Sequence, residues 1–256
     1  MPCPGGVWHV VDGFHRENLT VLYRQVKRQL IADIQSGVAA PGAALANETD
    51  LAKRFNVSIG TVRRAVDELV AEHVLVRQQG RGTFVGKMDR ERFMFQFFKI
   101  AGRDGVSEFP QVRLHTFTRS RATREEAQAL GLHGTQSVFC IDNVLLLKGR
   151  PVIHDHIVIA ATMFPGLTED VFTKRTATIY GLYQSAFGIT IVEADERVRA
   201  ELVSLESARL LNLPAGMPVL RIERVAYTFD RKPAEFRISV VDTRDVDYVS
   251  RMRDAA

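Results

Sequence analysis

Between Glu48 and Val85 the chain reads ETDLAKRFNVSIGTVRRAVDELVAEHVLVRQQGRGTFV: short helix, turn, longer helix, tight hairpin. That order leaves few folds open and suits a winged helix-turn-helix. Leu51, Ala52 and Phe55 form the inward face of the first helix. Asn47, with Asp50 three residues on, is a start signal. Asn56-Val57 makes the turn, because Asn tolerates the left-handed backbone. Ser58 caps the second helix, whose Val62, Val66, Leu69 and Val70 recur at helical spacing. Val74-Leu75-Val76 and Thr83-Phe84-Val85 are strands around Gln78-Gln79-Gly80-Arg81-Gly82.

The polar residues fall where such a unit meets a duplex. An exposed helix start offers free N–H groups and a positive dipole end to phosphate, and its side chains reach base edges in the major groove. Ser58, Ile59, Gly60, Thr61, Arg63 and Arg64 occupy that start, with Lys53 on the preceding helix. Arg81 rides a tip kept slim by Gly80 and Gly82 and can reach an adjacent phosphate or the minor groove. These are the candidate DNA-binding residues.

Leu22-Tyr23-Arg24-Gln25-Val26, Pro41-Gly42, Leu51-Ala52, Phe55-Asn56-Val57-Ser58, Thr61-Val62-Arg63-Arg64-Ala65 and Gly80 to Val85 together resemble the DNA-binding domain of the GntR family of bacterial transcription regulators. The likeness runs without a gap from Leu22 to Val85. Two positions depart from it: Thr49 and Ile59 stand where relatives usually carry operator-contacting arginines. The resemblance therefore implies base readout with fewer charges, Arg63 being the retained arginine and Ile59 a partner for a thymine methyl.

The formal charge of +4 is unevenly placed, with +3 on residues 1–92. That surplus sits with the helix-turn-helix but is too small to argue for nucleic acid unaided. Cys3 and Cys140 are far apart and suggest neither a disulfide framework nor a zinc site. No leader and no apolar run near the ~20 residues of a spanning helix is visible, so a cytoplasmic protein with no membrane partner is expected.

Residues 1–18 read as a flexible extension rich in Pro and Gly, with Trp8 and Phe14 as apolar residues of unassigned role. A helix from Leu19 or Thr20 places Leu22, Val26, Leu30 and Ile34 on one face and stops at Gly37. Residues 19–85 form the DNA-binding domain, 86–92 a linker and 93–250 a second domain. In the second domain, 93–100 and 112–121 are expected as strands, and Thr123 to Glu126 as a capping box opening a short helix. Strands over 137–147 and 151–159 follow, then a helix over 176–187, an extended run over 189–202, a helix over 204–211, and strands over 219–228 and 234–242.

These segments contain a repeat. A helix, Leu130-Gly131-Leu132, and a hairpin turning before Pro151 are answered by a helix, Leu211-Asn212-Leu213, and a hairpin turning before Pro233. Two such units make one antiparallel sheet with helices on one face, an α+β domain with a cleft suited to a small ligand.

Leu130-x-Leu132, Gly149-Arg150-Pro151, Phe164-Pro165-Gly166-Leu167, Ile179-Tyr180, Phe187-Gly188-Ile189, Leu213-x-x-Gly216-x-Pro218-Val219 and Pro233-x-Glu235 resemble, in order and spacing, the UTRA domain of the HutC branch of that family, which has a chorismate-lyase-like fold. The resemblance implies an effector pocket between the hairpins. Glu235 and Asp155 match acids of relatives, and Asn143 and Leu145 stand where some relatives carry phosphate-binding arginines. That replacement implies a smaller or less anionic effector. Tyr180 lines the cleft or fills the core. Arg237 shares a strand face with Glu235, so an ion pair is an alternative to ligand binding by either. The candidate effector residues are thus Asn143, Asp155, Tyr180, Glu235 and Arg237. His154 and His156 share a strand face and could share a metal, but no third ligand is identifiable from the sequence, and neither a metal nor a cofactor is expected.

The implied function is a homodimeric, ligand-responsive regulator, by family habit a repressor. Its recognition helices would enter successive major grooves of an operator roughly 34 Å apart. The alternative is a chorismate-lyase-like enzyme acting on a small carboxylate. Against it stand the missing nucleophile–base pair and metal triad, and a helix-turn-helix that such an enzyme would leave unexplained.

Overall fold

A computed structural model of the chain describes residues 12–133 and 136–250. The chain divides into two compact units, residues 1–86 and 87–256.

The first unit has three helices, α1 (Asp12–Gln35), α2 (Glu48–Phe55) and α3 (Ile59–Ala71), and a hairpin of β1 (Leu75–Gln78) and β2 (Gly82–Val85). The first helix begins at Asp12, so residues 12–18 are helical where a loose extension is expected, and residues 1–11, with Trp8, lie outside the described residues. Its buried face carries Tyr23, Val26, Leu30 and Ile34, while Leu22 is exposed; the packing angle selects the tyrosine over its neighbour. Asn47 caps α2 by accepting the Asp50 N–H at 2.9 Å. Asn56 ends that helix at φ 52°, the left-handed turn expected there. Ser58 caps α3, and Val62, Ala65, Val66 and Leu69 are almost fully buried against α1 and α2. Lys27 of α1 reaches Glu68 and Glu72 of α3, and Arg54 of α2 reaches Asp33 of α1. The wing gains a third edge because residues 43–45 exchange backbone bonds with Thr83 and Val85.

The second unit opens with α4 (Arg90–Gln96), capped by Asp89 through the Arg92 N–H. Residues 93–96 are therefore helical, not a strand, and residues 90–92 of the expected linker belong to that helix. The apolar run Phe93-Met94-Phe95 suits either state; the cap decides it. Then come β3 (Ile100–Gly102), β4 (Gln111–Arg121), α5 (Arg124–Ala129), β5 (Ser137–Leu147), β6 (Arg150–Ala160), α6 (Glu169–Thr173), α7 (Ile179–Phe187), β7 (Glu193–Leu202), α8 (Leu205–Leu211), β8 (Pro218–Tyr227), β9 (Pro233–Val241) and β10 (Val246–Tyr248). The Thr123–Glu126 capping box is present in full.

Six strands form one antiparallel sheet in the order β4-β5-β6-β9-β8-β7. The halves β4-α5-β5-β6 and β7-α8-β8-β9 meet through the β6–β9 ladder, as a two-fold arrangement requires. The repeat extends to backbone detail. Gly131 and Asn212 both follow their helices at positive φ, and the next residues, Leu132 and Leu213, donate N–H bonds to Ala127 and Ala208, each at 2.8 Å. Helices cover both faces of the sheet, not one. Val158 lies with Leu130, Val138 and Phe236 beneath α5, and Val219 and Val240 lie with Ala208 and Leu211 of α8. Ile157, Ile141 and Ile159 pack on the opposite face with Phe93, Phe172, Tyr180 and Tyr183 from α4, α6 and α7. Strand alternation sends neighbours such as Ile157 and Val158 to opposite layers.

Candidate functional site

In the first unit the start of α3 is built by one cap. Ser58 Oγ accepts the Thr61 N–H at 3.1 Å and lies 2.9 Å from the Thr61 hydroxyl. Thr61 is 5% exposed, so this expected contact residue is turned into the helix packing and its hydroxyl is engaged by the cap. Ser58, Ile59, Gly60, Arg63 and Arg64 are exposed, as are Lys53, Arg81 and Gly82. Arg63 is held by Glu48 of α2 through Nε at 2.9 Å and a terminal nitrogen at 2.8 Å. Glu48 in turn lies 3.7 Å from Arg77, which pairs with Asp67 at 2.6 Å. Arg64 stacks over the Tyr23 ring at 4.0 Å. Arg81 sits in a loop closed by its own N–H on the Gln78 carbonyl, with Gly80 and Gly82 at positive φ on either side. A Cβ at either glycine would be strained there, which keeps the tip narrow.

In the second unit a cavity of about 380 Å³ opens on the α7 face of the sheet. Asn143 and Leu145 of β5, Asp155 and Ile157 of β6 and Arg237 of β9 form its floor. Phe93 and Arg90 of α4, Phe109 and the segment Thr173–Ile179 close its sides. Asn143, Asp155 and Arg237 thus come together as expected. Tyr180 and Glu235 do not line the cavity; both are wholly buried behind it.

Glu235 is saturated. Arg237 donates to its two oxygens at 2.9 and 3.0 Å, and Tyr180 and Tyr183 add hydroxyl bonds at 3.0 and 2.8 Å. Arg237 also reaches Asp155 at 3.1 Å, and Ser239 donates to the other Asp155 oxygen. Burial would lower the Arg237 guanidinium, but the charges of Glu235 and Asp155 outweigh it and hold it well above its ordinary value. Burial together with the Glu235 charge pushes both phenols well up, so they remain donors at neutral pH. Glu235 and Arg237 thus form the ion pair that their shared strand face suggests.

Among the described residues of the cavity, Asn143 and Arg175 lack such partners. The Asn143 Oδ1 is buried and, among the described residues, receives no hydrogen bond. Arg175 lies over the Phe172 ring at 4.1 Å and donates to the Phe172 carbonyl, and among the described residues no carboxylate is within ion-pair reach of it. Burial pushes this guanidinium down, as it does any cation without a counter-charge. Sequence reading missed Arg175. The available signal is local: Asp170, the nearest preceding acid, is used by Lys174 at i, i+4, leaving the next cation over.

His154 and His156 share a face and both reach Asp142 Oδ1, His154 through Nε2 at 3.4 Å, but they differ in their other partners. His154 Nδ1 contacts Ser207 Oγ of α8 at 2.9 Å, whereas His156 Nδ1 contacts Asp142 Oδ1 at 2.8 Å. No helix among the described residues is long and apolar enough to cross a membrane.

Comparison with known proteins agrees with this division. The family profile of bacterial regulatory proteins, gntR family, matches residues 22–85, and that of the UTRA domain matches residues 108–246. The histidine utilization repressor of Pseudomonas putida is 32% identical over 204 residues, covering 79% of this chain and 81% of that protein. The HTH-type transcriptional repressor NagR of Bacillus subtilis is 30% identical over 209 residues, covering 80% and 84%. Among solved structures, the ligand-binding domain of a GntR-family transcriptional regulator from Bordetella bronchiseptica superposes with a TM-score of 0.58 at 32% identity, covering 60% of this chain and 96% of that one. The chain belongs to the GntR family of bacterial transcription regulators, in the HutC-type branch that joins a winged helix-turn-helix to a UTRA effector domain.

Proposed function

We propose that the chain is a homodimeric repressor of the bacterial cytoplasm, released from its operator by a small anionic metabolite and without enzymatic activity. The observation that carries the ligand half is the pairing, in one cavity, of the buried Asn143 amide oxygen with Arg175: among the described residues the first receives no hydrogen bond and the second has no carboxylate within ion-pair reach. A buried polar atom left unsatisfied costs roughly 1–3 kcal/mol, which a ligand N–H or O–H placed against Asn143 would recover. A carboxylate or phosphate group would recover the charge of Arg175 in the same way. Loss of the strand arginines at Asn143 and Leu145 therefore does not make the pocket neutral; a cation enters from the segment before α7 instead. Asp155 and Arg237 set the floor, and Glu235 with Tyr180 holds Arg237 in place.

The DNA half rests on the exposed start of α3 and on the wing tip. Ser58, Ile59 and Gly60 bring backbone and apolar contacts; Arg63 is the base reader; Lys53, Arg64, Arg81 and Gly82 meet the phosphates and groove edge. Glu48 pre-orients Arg63 for that role. Ligand and operator then act on each other by linkage, each changing the other's affinity by the same factor. The acids also argue against a lyase: Asp155 at the cavity has both oxygens engaged by Arg237 and Ser239, and Glu235 lies behind it with both of its own engaged.

The test is footprinting upstream of the protein's own gene, with small carboxylates and small phosphate esters added in separate arms. Release by one class names the anionic group. Failure of both arms while DNA is bound refutes the anion assignment, and conversion of the ligand refutes the non-enzymatic reading.

A further inference from the structure

A second cluster lies on the opposite face of the same sheet. The ladder pairs Asn143 with Asp155 and, one step along, Asp142 with His156. Alternation sends the first pair to the cavity and the second, with Cys140, toward α5. One donor atom each from Glu126, Cys140 and His156 lies within 4.8 Å of the other two.

The orientation of the three is specific. His156 Nε2 stands 3.7 Å from Glu126 Oε1, while its Nδ1 is 2.8 Å from Asp142 Oδ1. A ring nitrogen on a carboxylate with the other turned to a shared point is how a metal-bound imidazole is held. Asp142 is itself fixed by the Thr116 hydroxyl at 2.5 Å. Glu126 spends Oε2 on the Thr123 N–H at 2.7 Å, so the capping box aims Oε1 at the cluster. Cys140 is half-buried and touches Ser120 at 3.4 Å. His154 is not part of the set: its Nδ1 contacts Ser207 of α8 and its Nε2 lies 3.4 Å from Asp142 Oδ1.

We propose that Glu126, Cys140 and His156 form a site for a divalent transition-metal ion of the zinc class, with Asp142 as positioning residue and water in the fourth place. Mixed O, S and N donors suit such an ion and not magnesium or calcium, which take oxygen. Zinc bond lengths of ~2.0–2.3 Å put tetrahedral donors ~3.3–3.8 Å apart, so side-chain rotation of about 1 Å completes the set. On binding, Cys140 releases its thiol proton to solvent and coordinates as thiolate. His156 coordinates as neutral imidazole through Nε2, keeping the Nδ1–H on Asp142 and releasing any second proton to solvent. The site is independent of the effector reading, since it uses none of the cavity residues.

The test is a Co²⁺ titration of the reduced full-length protein. A near-ultraviolet thiolate-to-cobalt band with four-coordinate visible bands is expected, unchanged in Cys3→Ser and lost in Cys140→Ser. Asp142→Asn should weaken binding by ~10–100-fold with the bands retained. His156→Ala should shift the visible bands, with circular dichroism checking that each variant is folded. No thiolate band in the folded wild type would overturn the site and leave His156 as an ion-pair partner of Asp142 and Glu126. A band that survives Cys140→Ser and disappears in Cys3→Ser would overturn it as well.

Discussion

The arginines assigned to DNA and the arginine under the effector cavity are built in opposite ways. Arg63 keeps a side chain 61% exposed while pairing with Glu48, and Arg81 stands on a glycine-flanked tip. Arg237 is 5% exposed and is locked to two carboxylates. An exposed pair is worth little to the fold because water and salt screen it, so its residues are free to trade an internal partner for a phosphate or base. A buried pair is the reverse: losing one member strands the other charge in a poor dielectric. Recognition by the first unit should therefore be separable from stability by mutation, and any part that the Arg237 ion-pair cluster plays at the cavity should not.

The sharpest way to break that contrast is Arg237→Ala, which should cost about 3–5 kcal/mol in urea unfolding of the second unit by leaving Glu235 and Asp155 unpaired. Glu235→Gln should likewise lower stability along with effector response; a stable variant with only its response lost would return Glu235 to the ligand. Next is acid stability. Burial alone would raise the Glu196 carboxyl, but the Arg224 charge and hydrogen bonds from Lys99 and Tyr248 bring it down to about 2. With its folded value depressed, its contribution is complete above an unfolded value near ~4.3 and is lost as pH falls toward about 2, on the order of 3 kcal/mol in all. Unfolding of Glu196→Gln followed from about pH 5 down to about pH 2 should lack this part of the slope.

For the exposed side, Arg63→Ala should weaken operator binding roughly 10-fold or more, and Arg81→Ala should lower the salt slope by about 1. Both should leave thermal unfolding unchanged, and a shift in unfolding would erase the distinction. No loss of stability is expected at Asn143→Leu either. It removes an unsatisfied acceptor, so stability should hold or rise by about 1 kcal/mol while effector response is lost. A destabilised variant would mean that the amide has a structural partner.

Features set by a few adjacent residues were legible before any coordinates. Asn47, Ser58, Thr123 and Glu126 announce helix starts through spacing alone, and the two αL exits at Gly131 and Asn212 sit in a repeat that can be read by eye. Where one local signal competes with another, the sequence misleads: Phe93 to Phe98 is apolar enough for a strand, but the Asp89 cap starts a helix that runs through Gln96. Contacts between distant segments were legible only in part. Asn143 and Asp155 are legible only through the resemblance to UTRA relatives, and Arg237 through the strand face it shares with Glu235. Nothing near Tyr183 signals that it meets Glu235, and Glu126 and Cys140 join His156 only once the sheet and α5 are assembled.

The β6–β9 ladder is the one seam where the sheet's two halves are stitched, and the Arg237–Asp155 bond bridges it side chain to side chain. Those strands behave like the spine of an opened book, with β4-β5 and β8-β7 as its covers. The Arg237–Asp155 bond acts as a clasp across the spine, so cutting it should loosen the covers most at the outer edges, β4 and β7, where backbone hydrogen exchange would read the change most easily.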